Sequence, residues 1–284
     1  MIHRFPTPKP PRLRIEFRSG SIVIRTDDVG ETTVELRGRR DNDATTQLIA
    51  DTTIEQRGDE IVVLVPKRSG GIFSRPHDLD LLITAPHLTA LAIESGSADI
   101  TANGDFGTTN IQTGSGDVAV GHVTDSLKLR SGSGDVRVER IDGDADITTG
   151  SADVQLGEVG GAASVTTGSG DVRLGSGGTA IDVKTGSGDV TVGEAPAKLS
   201  AKTGSGDVSI DSVRHGEIRA RTASGDVRAG VRAGTAAWLD VRTISGRVSS
   251  NLESSAEPGA GEDRVRLQLE TVSGDIDLVR VAAR

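Results

Sequence analysis

The sequence predicts an all-β fold, a parallel β-solenoid built from 18-residue rungs, and three observations carry that prediction. Between Ser95 and Val208 the phrases SGSADI, TGSGDV, SGSGDV and TGSADV, then TGSGDV three times, place Asp99, Asp117, Asp135, Asp153, Asp171, Asp189 and Asp207 at a constant spacing of 18 residues. Self-similarity at a fixed period marks a stacked-repeat architecture. Within a unit the apolar residues alternate: Val190 and Val192, then Leu199, Ala201, Thr203 and Ser205, which is strand periodicity with one side chain in and the next out. Finally, 37 of 284 residues are Gly and only 2% are aromatic. That is too few large side chains for a thick core, but enough for a narrow coil filled by Val, Ala and Thr.

In chain order, residues 1–11 read as a flexible Pro-rich lead. Residues 12–94 read as irregular N-terminal β rungs that cap the stack, with room for about four rungs before the regular repeat. ETTVELRG at 31–38 and DTTIEQRG at 51–58 form a second internal likeness, and DNDATTQLIA between them allows one short helical turn. IVVLV at 61–65, LDLLIT at 79–84 and LTALAI at 88–93 are further strands, and Lys67 to His77 reads as a loop.

Residues 95–248 are the regular solenoid. Its inward parity breaks at each Gly-Asp, as at Gly206 and Asp207, so a tight bend is expected there. A looser bend follows between Val192 and Leu199. Farther on, the phrase recurs before Asp226, Arg247 and Asp275 at spacings of 19, 21 and 28 residues. Residues 249–284 are therefore read as a loop plus the final rung, with Trp238 under the Ser249–Asp263 loop.

The GSGDV ladder, the phrase LDLLITAP, and AAWLDVRT with the following SGRVSSNLESSAEPGAGEDRVRLQLETVSGDIDL resemble the DUF4097 family of β-strand-repeat proteins, whose label is "putative adhesin". The chain resembles a cytoplasmic, actinobacterial-type member, and the resemblance covers nearly all of it. It implies the β-repeat architecture and no particular activity.

The chain has no cysteine, so no disulfide or thiolate metal site is expected. A net charge of −9 opposes nucleic-acid binding. MIHRFPTPKPPRLRIEF has no apolar export core, and no stretch reaches the ~20 apolar residues of a membrane span, so a cytoplasmic location is expected.

The repeat aspartates read first as turn caps. Two carboxylates about 5 Å apart repel by roughly 1 kcal/mol in water, so amide bonds, splaying or cations must relieve the column. Calcium at Asp117, Asp135, Asp171, Asp189 and Asp207 is the alternative, because calcium takes carboxylate oxygens. Thr and Ser of the TxS phrases are expected inside, bonding along the stack. Arg214, Arg219, Arg221, Arg228 and Arg242, with Arg232 and Arg247, form a basic cluster, read as a solvated face or as a strip for an acidic partner. His3, His77, His87, His122 and His215 show no ligand spacing. No acid, base and pocket break the repeat symmetry together. The chain is thus expected to be no enzyme and to need no cofactor. It is expected to act as a structural or interaction scaffold with a protein partner or through self-association, a ligand-binding module being the alternative.

Overall fold

A computed structural model of the chain describes residues 1–40, 42–66, 78–252 and 263–282. The chain divides into two compact units, Met1–Gly143 and Asp144–Arg284, and each is a parallel β-solenoid. The expected loop at 67–77 lies outside the described residues.

In the first unit the strands are β1 (Ile2–Pro6), β2 (Arg12–Asp27), β3 (Glu31–Gly38), β4 (Thr53–Arg57), β5 (Glu60–Leu64), β6 (Leu79–Pro86), β7 (Thr89–Ser115), β8 (Val118–Val123), β9 (Leu127–Ser133) and β10 (Val136–Ile141), with one helix, α1 (Asp43–Ala50). From β7 onward the rungs follow the expected order: Thr109–Ser115 of β7 pairs in parallel with β9, and β8 pairs in parallel with both β7 and β10.

The N-terminal part departs from the expectation in three ways. Residues 2–6 are not a flexible lead but an antiparallel partner of β3, because Ile2 to Pro6 are extended and the Met1 amino group donates to the Leu36 carbonyl at 2.9 Å. β3 and β6 are antiparallel, as are β4 and β5. The latter pair turns on Gly58 and Asp59, Gly58 at φ +66° suiting a two-residue hairpin. Lastly, about four rungs do not separate β2 from the regular repeat: Ser21 of β2 pairs directly with Asp99 of β7. The first half of β2 lies between β5 and β7 and its second half between β6 and β7, all in parallel. Later chain thus covers an earlier edge and leaves antiparallel strands at that end. The helix forms where expected: Asn42 caps it by accepting the Thr45 N–H at 2.8 Å, and Thr45 and Leu48 are its buried side chains.

The second unit comprises β11 (Ala145–Ser151), β12 (Val154–Val159), β13 (Ala162–Ser169), β14 (Val172–Gly177), β15 (Ala180–Ser187), β16 (Val190–Glu194), β17 (Lys198–Ser205), β18 (Val208–Val213), β19 (Gly216–Ser224), β20 (Val227–Arg232), β21 (Ala236–Ser245), β22 (Val248–Ser250), β23 (Arg264–Ser273) and β24 (Ile276–Val281). Odd-numbered strands make one ladder and even-numbered strands a second, all parallel. Ile147, Val165, Val183, Ala201 and Ala220 stack inward from one ladder, and Val154, Val172, Val190, Val208 and Val227 from the other, all buried. Each such Val contributes about 1.5–3 kcal/mol through burial.

The C-terminal rungs are out of chain order. β23 pairs with both β19 and β21, and β24 with both β20 and β22. β23 and β24, last in sequence, are therefore inserted, and among the described residues β21 with β22 ends the stack, so β23 and β24 do not supply the outermost rung.

Candidate functional site

The repeat corner shows what the recurring Asp phase of each rung is for. The main-chain N–H of Asp117 donates to Asp99 Oδ1 at 3.1 Å, and that of Asp135 to Asp117 Oδ1 at 2.9 Å. In the second unit Asp171, Asp189, Asp207, Asp226 and Asp275 each donate to the aspartate of the rung before in the stack, at 2.7–3.0 Å. The carboxylates thus cap amides one rung away, not their own downstream amides as local Asp turns would. Charge-assisted amide bonds relieve the column's repulsion.

Most of these aspartates follow a glycine, and at Gly206 the backbone requires it, with φ +139° and a Cβ that would lie 2.2 Å from the Gly188 carbonyl oxygen; Asp99 and Asp153 follow the buried Ala98 and Ala152 instead. Among the described residues no three His, Asp or Glu side chains converge as metal ligands.

The Thr column is inward, with Thr113, Thr149, Thr167, Thr185, Thr203, Thr222 and Thr271 buried. The hydroxyls of Thr167, Thr185, Thr203, Thr222 and Thr271 bond corner carbonyls instead of one another, whereas those of Thr113 and Thr149 are buried with no hydrogen-bond partner among the described residues. Thr203 Oγ1 donates to Gly188 O or Ser205 O at 3.1 Å, and Thr222 Oγ1 to Gly206 O at 3.0 Å. The paired serines, such as Ser115 and Ser205, face solvent, correcting the expectation that both columns turn inward; two residues on from Thr the corner has already begun.

The arginine cluster does not form one free strip. Arg219, Arg221 and Arg242 lie on the outer face of the odd-numbered ladder, Arg228 on the even-numbered one, and Arg214 in the β18–β19 connection. Arg214 pairs with Asp263 at 2.7 Å, Arg221 with Glu270 at 3.0 Å and Arg242 with Asp240 at 3.1 Å. Arg219 bonds Gln268 at 2.7 Å and also pairs with Glu217. Asp263 holds the Arg214 guanidinium above the usual arginine range by hydrogen bond and charge. Arg232 pairs with Glu194 at 2.8 Å beside a surface cavity of ≈ 690 Å³, whose wall includes the bare backbone of Gly157, Gly175 and Gly193.

Sequence reasoning passed over one cluster. His122 Nδ1 is 2.8 Å from Asp105 Oδ1 and its Nε2 is 2.9 Å from Asp142 Oδ2. Burial opposes the imidazolium, but hydrogen bonds to Asp105 and Asp142 outweigh it and raise the His122 pKa above the ordinary value. Arg140 first, then His122, hold Asp142 below the carboxylate range. The signal was present: Asp105 and Asp142 lie 17 and 20 residues from His122, each close to one rung.

Trp238 is half-exposed, with the Arg266 guanidinium 4.2 Å from its ring centroid. Residues 253–262 of the loop expected to cover it lie outside the described residues. No described helix is long and apolar enough to cross a membrane.

Among solved structures, the chain is similar to one titled "putative adhesin" from Parabacteroides distasonis, at 10% identity and TM-score 0.38, covering 98% of this chain and 96% of that one. A "putative lipid binding protein" from the same organism matches at 12% identity and TM-score 0.38, with 98% and 96% covered. A "putative cell adhesion protein" from Clostridium sporogenes matches at 12% and TM-score 0.26, with 99% of each chain covered. No curated protein matches. The family model Toastrack DUF4097 matches residues 12–211 and 164–279. The chain belongs to the Toastrack DUF4097 family.

Proposed function

We propose that this chain is a non-enzymatic interaction scaffold of the cytoplasm, whose second unit offers a protein partner a polar face. A single observation carries the reading. The repeat chemistry is consumed by the fold, each aspartate holding the next rung, while the outward positions between corners vary and stay at fixed register. On the odd-numbered ladder Thr148, Thr166, Lys184, Lys202, Arg221, Glu270 and Arg242 form one such column. Lys184, Lys202 and Arg221 are consecutive in it and exposed, so an acidic partner suits this stretch.

The test is affinity capture with the wild-type chain against Lys184→Glu/Lys202→Glu/Arg221→Glu. A partner held by the first and lost by the second, with the thermal midpoint unchanged, supports the reading. A catalytic turnover abolished by changing His122, Asp105 or Asp142 overturns it, and recovery of the chain only in the cell-envelope fraction overturns its cytoplasmic placement.

A further inference from the structure

The rung that ends the second unit is unlike the others. No described strand pairs with the outer edge of β21 or β22. Leu239 and Val248 are exposed there, although Leu239 is in register with fully buried Leu267. Apolar surface also appears on the outside. The middle residue of the TxS phrase is glycine from Gly114 to Gly204, then Ala223, Val272 and Ile244 on the last three rungs of the stack. Val272 is 50% exposed, Ile244 83% and Trp238 53%. A strand edge that no described strand covers, with an apolar ridge beside it, is a template for another strand.

The chemistry of β21 selects its occupant. Ala236 N–H donates toward β23, to the Asp263 carbonyl, at 2.9 Å. Main-chain groups alternate sides along a strand, so those of Ala237, Leu239, Val241 and Thr243 point to the free edge. An antiparallel second β21, related by a two-fold axis through Val241, sets Val241 against Val241 and Leu239 against Thr243 of the other copy, all inward. Outward it sets Asp240 against Arg242, and Trp238 against Ile244. Every cross-strand pair is complementary, and both charge pairs are opposite in sign. Shifting the axis to Asp240 or Arg242 would oppose like charges. Self-complementarity about one residue is what an isologous contact requires.

We propose that two copies of this chain associate end to end through β21, as a closed two-fold dimer centred on Val241. The inference rests on the scaffold reading and deepens it, since the dimer joins two partner-binding faces. The two can fail separately: partner capture lost with the dimer intact removes only the scaffold reading.

Two measurements test it. Sedimentation from about 1 μM to 1 mM should show a monomer–dimer equilibrium that stops at two. Asp240→Arg and Arg242→Asp should each weaken it about tenfold, and the double exchange Asp240→Arg/Arg242→Asp should restore it. The chain has no cysteine of its own, so a single introduced thiol reports on the axis. In the dimer the two Val241 Cα atoms lie about 5.5 Å apart, within disulfide reach, so Val241→Cys should cross-link on oxidation. Ile244→Cys, about 20 Å from its mate, should not. A monomer at every concentration overturns the proposal and leaves the edge to a strand of another protein. Growth beyond two, no rescue by the charge exchange, or equal cross-linking of the two thiols also overturns it.

Discussion

The main-chain N–H of Arg247 donates to Asp275 Oδ1 at 2.7 Å, although Asp275 follows it in sequence by 28 residues. Asp275 N–H in turn donates to Asp226 Oδ1 at 2.7 Å. The inserted rung is thus tied on both sides, and Arg247 stands where no following described rung presents an amide N–H to donate to a carboxylate. Asp275→Ala removes an acceptor from an exposed corner and should cost about 1 kcal/mol. Hydrogen exchange at Arg247 to Ser250 should quicken. Arg247→Asp should stay within about 0.5 kcal/mol of wild type. Denaturant melts of both variants check the contrast.

His122 links protonation to the stability of the first unit. Its folded pKa is raised by Asp105 and Asp142, themselves facing His87 at 3.4 Å and Arg140 at 2.8 Å. A raised pKa contributes stability that is fully present below the unfolded value of about 6.5 and is lost as pH rises through the folded value. The thermal midpoint of the first unit should therefore fall on going from pH 6 to pH 9, and His122→Asn should flatten that dependence. An identical slope in the variant would contradict the assignment.

Leu199 is 3% exposed and Trp238 53%. Leu199→Ala should cost about 2–4 kcal/mol through lost burial and a cavity in a narrow core. Trp238→Ala should cost less than about 1 kcal/mol in the monomer, its cation–π contact with Arg266 being at an exposed site. Chemical denaturation at low protein concentration compares them.

Asp117, Asp171, Asp189 and Asp207 each commit Oδ1 to an amide. Adding calcium, or removing it with a chelator, is expected to leave the melting midpoint unchanged. A rise of several degrees that saturates with calcium would restore the metal reading for the Asp column.

What the sequence by itself determined is the rung: its 18-residue period, the inward parity of Val190, Val192, Leu199 and Ala201, the corner at Gly206 and Asp207, and the short helix after Asn42. These follow from alternation, backbone sterics and capping, which act within a few residues. Even the end of the stack left a trace, since Arg247 replaces aspartate between Asp226 and Asp275. Only the tertiary structure decided the order of rungs, with β2 slotted inside the first unit and β23 and β24 inside the second. It also decided that His122 meets Asp105 and Asp142, and that Arg228 parts from Arg219 and Arg221. Parallel rungs of one period present nearly identical edges, so local pattern does not say which edge pairs with which; main-chain hydrogen bonds between segments far apart in the chain make that choice.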